Sequence, residues 1–289
     1  MLPCHRMNII ACLSWSLLLF GSAPGQDRTA LQQAEGEPWK TFRLSSPRQA
    51  GETTIRILLP QAIEPSERLR TVYVLPVEAA MENRYGDGLA EIARNDLHNR
   101  FHAAFVAPSF FHLPWYADHP SDKTLQQESY FLEDVIPFVE KNAPVRNDRA
   151  GRLLLGFSKS GWGAWSMLLR RPDMFERVAA WDAPMMMQQI GLYGNGPIFG
   201  TQANFEQYRV TDLLKSHREK LGTEPRLILT GMGNFEAEHR AAHELLNQLK
   251  IPHVYDDLPR RKHDWHSGWV TEAVEHLFAP NRLAPERNE

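Results

Sequence analysis

An α/β fold, with a mostly parallel central sheet and helices on both faces, is the architecture this sequence predicts. Two observations carry that prediction. Short apolar or β-branched runs alternate with longer segments of helical periodicity from residue 39 to residue 278. One such run, Leu153-Leu154-Leu155, ends in the turn Gly156-Phe157-Ser158-Lys159-Ser160-Gly161 and opens at once into a helical segment. Parallel strands need crossover connections, and helices are the usual way to supply them.

Taken in order, Trp39–Leu44 and Thr53–Pro60 alternate or carry β-branched residues and read as strands. Arg70–Leu75 is a short buried strand, Gly88–Phe101 a helix, and Ala103–Ala107 a second buried strand stopped by Pro108. Tyr130–Val139 has apolar residues on one helical face, with Pro137 predicting a kink or a short helix. Leu153–Leu155, Val178–Trp181 and Arg226–Thr230 are the next strands, with helices at Trp162–Arg171 and Glu236–Leu249. His253–Asp256 is the last strand and Gly268–Phe278 the last helix. Between Pro184 and Glu219 the glycines and Pro197 predict an irregular cap or insertion.

The chain has 289 residues and a formal net charge of −3, with 43% hydrophobic residues. That length suits one large α/β domain, here residues 39–280, and the near balance of charge implies no nucleic-acid partner. Residues 1–25 read as a cleavable signal peptide: His5 and Arg6, then a twelve-residue apolar stretch Ile9–Phe20, then small residues through Gly25. Such a stretch is too short to span a bilayer. Export to a secreted or periplasmic location is therefore expected, with no transmembrane segment in the mature chain. Cys4 and Cys12 both fall inside it, so the mature protein is expected to carry no thiol. Residues 26–38 read as a flexible segment and 281–289 as a tail.

The run from Leu153 to Trp165 has the layout of a nucleophile elbow, in which a strained strand-to-helix turn lifts one serine hydroxyl above the sheet. Small residues at Gly156, Ser160 and Gly161 leave room around Ser158, although the commonest form has glycine where Ser160 stands. A serine needs a base, and His263, in the polar loop after the last strand, has the right place in chain order. No metal cluster is expected: His98 and His102 lie four apart but lack a His-Glu-x-x-His context.

The stretch Gly156-Phe157-Ser158-Lys159-Ser160-Gly161-Trp162-Gly163-Ala164 resembles the elbow of the esterase D / antigen 85-type esterases. Arg171-Pro172-Asp173-Met174-Phe175, Phe131–Pro137 and His263-Asp264-Trp265, with Trp269 after it, resemble three further motifs of that family. The tryptophan spacing is one residue longer than the family's. The resemblance runs from about Arg43 to Phe278 and implies an α/β-hydrolase fold acting on esters without a cofactor. Ser158 then maps to the nucleophile and His263 to the base. Asn234 falls where the family has its acid, so another carboxylate must orient His263. Glu236, at the start of the next helix, is the first choice and Asp182, after the Val178–Trp181 strand, the second. The oxyanion donors would be the N–H of Lys159 and a group at Val77 or Glu78, since Pro76 stands where the family has a His-Gly or Asp-Gly pair. Trp115 and Tyr116, in an aromatic loop like the family's, would line the substrate pocket with Trp162 and Trp265.

The expected function is thus a secreted serine esterase for a small-molecule or carbohydrate ester. Two alternatives are a catalytically weak homologue that binds a glycan or ester, and an acyltransferase of antigen 85 type.

Overall fold

The computed structural model describes residue 1 and residues 36–80 and 82–279. The signal peptide, both cysteines, most of the 26–38 segment and the 281–289 tail lie outside the described residues. Eight strands form one sheet: β1 Lys40–Leu44, β2 Thr53–Leu58, β3 Thr71–Val74, β4 Ala104–Pro108, β5 Arg152–Phe157, β6 Arg177–Trp181, β7 Leu227–Met232 and β8 His253–Arg260. Their order is β1-β2-β4-β3-β5-β6-β7-β8. β1 and β2 run antiparallel to their neighbours, and from β4 to β8 every pairing is parallel. The fold is that of an α/β hydrolase.

Topology selects the place of the site. From β3 the chain crosses to β4 on one side and then returns to β5 on the other. The carboxyl ends of β3 and β5 therefore flank a crevice over which no connection passes, the usual ligand position in such sheets. The central strands are apolar on both sides because both sides are covered. In β5, Leu154 packs in one core and Leu153, Leu155 and Phe157 in the other. The first core lies under Trp162, Trp165 and Leu168 of the helix Lys159–Arg170, the second under Val270, Val274 and Leu277 of the helix Val270–Phe278.

Three elements depart from the sequence reading. The predicted Gly88–Phe101 helix is two, Gly88–Arg94 and Leu97–Arg100, because Asp96 adopts φ 53° and breaks the hydrogen-bond ladder. The Tyr130–Val139 helix is longer and irregular: Gln127–Tyr130, a π-helical turn Phe131–Val135, then Ile136–Asn142. That π turn places Pro137 at the start of a helix, where its missing N–H costs nothing. Residues 184–195 are irregular as read, whereas 196–219 are largely helical, with helices Gly196–Phe199, Gln202–Glu206 and Val210–His217. They seal the first core with Phe199, Phe205 and Leu214. No helix among the described residues is long and apolar enough to cross a membrane.

Candidate active site

Ser158 closes β5 with φ 54° and ψ −128°, a conformation that costs a non-glycine residue energy and that the surrounding structure must impose. Its N–H is tied to Trp181 O (3.0 Å), and the helix Lys159–Arg170 starts at the next residue. The sharpness of the turn explains its small residues: a Cβ at Gly156 would stand 2.4 Å from Ser160 O. Ser160 takes the glycine place without penalty, because its buried hydroxyl accepts from Phe157 N and donates to Phe157 O, both at 2.9 Å.

His263 reaches the elbow from the loop after β8. Its Nε2 accepts from Ser158 Oγ at 3.1 Å, and its Nδ1–H donates to Asp182 Oδ2 at 2.5 Å. A carboxylate can only accept, which fixes the proton on Nδ1 and leaves Nε2 free to take one. Asp182 is fully buried at the end of β6, with φ 43°. Burial alone would raise its pKa, but the His263 hydrogen bond, the N–H groups of Phe235 (2.6 Å) and Asn234 (2.8 Å), and the electrostatic influence of the nearby imidazole outweigh it and hold the carboxyl below its ordinary value. Asn234 thus contributes a backbone donor where an acid was looked for. The sequence preference for Glu236 does not match the geometry. That carboxylate faces away from the imidazole and pairs with Arg260 (2.5 Å) and Arg240 (3.0 Å).

Aromatic rings box the imidazole: Phe157, Tyr85 and Phe235 have centroids at 4.5, 5.6 and 5.6 Å from it. Above Ser158 lies a cavity of about 390 Å³ lined by Arg84, Tyr85, Trp115, Lys159, Pro184, Tyr193, Asn234, Phe235 and His263. Of the four aromatic residues expected to line it, Trp115 does. Tyr116 is buried and donates its hydroxyl to Pro76 O (2.6 Å). Trp162 is stacked on Phe205 inside the first core, and Trp265 packs under Phe157 in the second. Tyr85, Tyr193 and Phe235 fill their place, and no motif pointed to them because they come from three separate loops. The Lys159 N–H lies at the first helical position, where a helix offers it no acceptor. Its side chain is buried, with Nζ donating to Val77 O at 2.9 Å, not solvated as a surface lysine would be.

A family model described as "Putative esterase" matches residues 97–269, a span that contains Ser158, Asp182 and His263. The chain belongs to this esterase family. No curated protein matches it. Among solved structures, a ferulic acid esterase is 19% identical over 82% of this chain and 94% of its own, with a TM-score of 0.65. An S-formylglutathione hydrolase from Agrobacterium tumefaciens is 14% identical over 86% and 97%, at 0.66. Mycobacterium tuberculosis MPT51 is 15% identical over 83% and 99%, at 0.56. Likeness at such identities establishes the fold. Hydrolysis of carboxylic esters is the activity that family membership gives this esterase.

The esterase has a second, hidden imidazole behind Asp182. His239 Nε2 accepts from Ala183 N at 2.8 Å, which leaves its proton on Nδ1, and the ring is buried. Burial pushes its pKa down from 6.5 to about 4, against the opposing pull of the Asp182 charge. An unfolded chain takes up this proton near pH 6.5 and the folded one only near 4, so the stabilising contribution is complete above 6.5 and lost as pH falls through that window. At about 1.4 kcal/mol per unit, the loss is about 3 kcal/mol. Thermal melts of wild type and His239→Gln between pH 4 and 7.5 should show the wild-type midpoint falling more steeply below 6.5. Parallel curves would refute this assignment.

Proposed function

We propose that this esterase is a secreted serine hydrolase that cleaves its ester through an acyl-enzyme on Ser158. The observation that carries the reading is the unbroken line from Ser158 Oγ through His263 to the buried carboxylate of Asp182. In the first step Oγ attacks the carbonyl carbon while its proton passes to His263 Nε2, and Asp182 stabilises the imidazolium that forms. Collapse of the tetrahedral intermediate breaks the ester C–O bond, and Nε2–H protonates the leaving alkoxide. Water then repeats the sequence on the acyl-enzyme, releasing the acid and restoring Ser158. The N–H groups of Lys159 and Val77 hold the oxyanion in both halves. Acyl transfer to a sugar would replace only the water.

The substrate class is a compact ester with an apolar or aromatic body, since Tyr85, Trp115, Tyr193 and Phe235 wall the cavity. Export through residues 1–25 is part of this proposal. The reading that the protein binds without turnover rested on Asn234 at the acid's place and on Pro76 in place of a His-Gly pair; the contact of Asp182 with His263 speaks against the first motive.

Incubation of the mature protein with a fluorophosphonate probe tests the reading. One adduct per chain is expected, mapped by peptide mass to Ser158, with loss of p-nitrophenyl acetate hydrolysis in step with labelling. An unmodified Ser158 alongside undiminished activity would overturn it.

A further inference from the structure

The segment after β3 carries Pro76, which cannot donate a backbone hydrogen bond, where an oxyanion donor is wanted. Register settles which neighbour takes over. Val74 stands opposite Leu155, and Leu75 N–H donates to Leu155 O at 2.9 Å, so the β3–β5 pairing continues past the end of β3. Extended by the same step, Pro76 comes beside Phe157 and Val77 beside Ser158. In an extended chain the N–H and C=O of one residue point the same way, and those of the next point oppositely. Leu75 faces β5. Pro76 therefore faces the β4 side, and Val77 faces the elbow.

Two buried side chains sit where that alternation requires. Tyr116, in the loop after β4, donates its hydroxyl to Pro76 O at 2.6 Å. Lys159, in the first turn beyond Ser158, donates Nζ to Val77 O at 2.9 Å. The Val77 N–H has no acceptor among the described residues, and in an extended chain it shares the edge of Val77 O. Because Pro76 faces away from the reacting group, its missing N–H is no loss.

We infer that Tyr116 and Lys159 are positioning residues of the oxyanion hole, which lock the peptide planes on both sides of Val77 and keep its N–H turned toward Ser158. The inference rests on the esterase mechanism proposed above. A trans peptide is planar with its C=O and N–H opposed, so holding Pro76 O fixes the direction of the Val77 N–H. Holding Val77 O fixes the next plane and prevents a compensating flip. A donor held in place before reaction needs no reorganisation as charge develops on the carbonyl oxygen.

The clamp is itself rigid. Tyr116 is 1% exposed, has φ 57° and packs its ring so closely on Gly163 that a Cβ there would stand 2.4 Å from it. Burial pushes the phenol well above its ordinary value, which keeps it protonated and a donor. Burial lowers Lys159, while the nearby Glu78 carboxylate acts to keep it charged.

Tyr116→Phe and Lys159→Met each remove one clamp and leave every backbone donor in place. With p-nitrophenyl acetate, each variant should lose kcat by about 10- to 100-fold, short of the ~10²–10³ for deleting a donor outright. KM should stay near wild type, because the contact strengthens only in the transition state. Inhibition by an aryl trifluoromethyl ketone, which forms an oxyanion on Ser158, should weaken by the same factor as kcat/KM. A role confined to packing would lower the melting temperature without that matched loss. If either folded variant keeps wild-type kcat and ketone affinity, or loses only in KM, the clamp is refuted, and should one fail to fold the other decides. Wild type that neither hydrolyses the ester nor takes up a fluorophosphonate would overturn the underlying mechanism along with the clamp. Active wild type with unaltered variants removes the clamp alone.

Discussion

Ser158→Ala is expected to lower kcat toward p-nitrophenyl esters by about 10⁶-fold, the scale seen when a hydrolase of this kind loses its nucleophile. The size follows from the geometry: Ser158 Oγ is the hydroxyl within hydrogen-bond reach of His263 Nε2 (3.1 Å). The neighbouring hydroxyl of Ser160 cannot stand in, since it is buried and spent on Phe157 N and O. Steady-state assays with burst-phase titration of active sites would check the result. Residual turnover within about tenfold of wild type would mean that hydrolysis does not pass through Ser158, because loss of a true nucleophile costs about 8 kcal/mol of barrier. The fold should survive, as the alanine must still adopt φ 54° but loses no buried partner other than His263.

Asp182→Asn should cost about 10⁴ in kcat, roughly 5 kcal/mol of transition-state stabilisation. The amide retains the shape of the carboxylate but cannot stabilise the imidazolium, and it invites the wrong imidazole tautomer. It also weakens two charge-assisted bonds from the Asn234 and Phe235 N–H groups, so a lower melting temperature should accompany the loss. The stabilising effect of Asp182 has a pH sign as well. A carboxyl held below its ordinary value stabilises the fold fully above that value, and the effect is lost as pH falls from there through the lowered value of the folded state. The decisive control is Glu236→Gln. Glu236 touches Arg240 and Arg260 on a partly exposed helix start, and its loss should leave kcat unchanged and cost less than about 1 kcal/mol. The reverse pattern, a silent Asp182→Asn and an inactive Glu236→Gln, would return the acid to the helix.

The elbow was legible from sequence because its signals are local. An apolar strand, a glycine, a serine between small residues and an immediate helix are consecutive, and each answers to sterics within one turn. His263 was legible by chain order, since connections in such a sheet are short and bring the loop after β8 to the same edge as the end of β5. The acid was not. Asp182 and Glu236 both follow strands that end on that edge, and which carboxylate meets Nδ1 depends on how each turn folds: Asp182 takes φ 43° and reaches His263, while Glu236 pairs with Arg240 and Arg260. The aromatic wall was legible only in part: Trp115 was found, whereas Tyr116, Trp162 and Trp265 turned out to hold backbone or core. Aromatic character alone does not distinguish a ring that lines a cavity from one that supports it.

By itself the sequence determined the parallel sheet, the position of the serine at a strand-to-helix turn and the histidine that meets it, because periodicity, turn sterics and chain order constrain them. Tertiary structure alone decided that Asp182 is the residue touching His263, that Lys159 is buried against Val77 O, and that Pro76 faces away from the reacting group. Those three outcomes hang on which residues meet at one edge of the sheet, and strand register sets that geometry across 40 to 82 residues of chain.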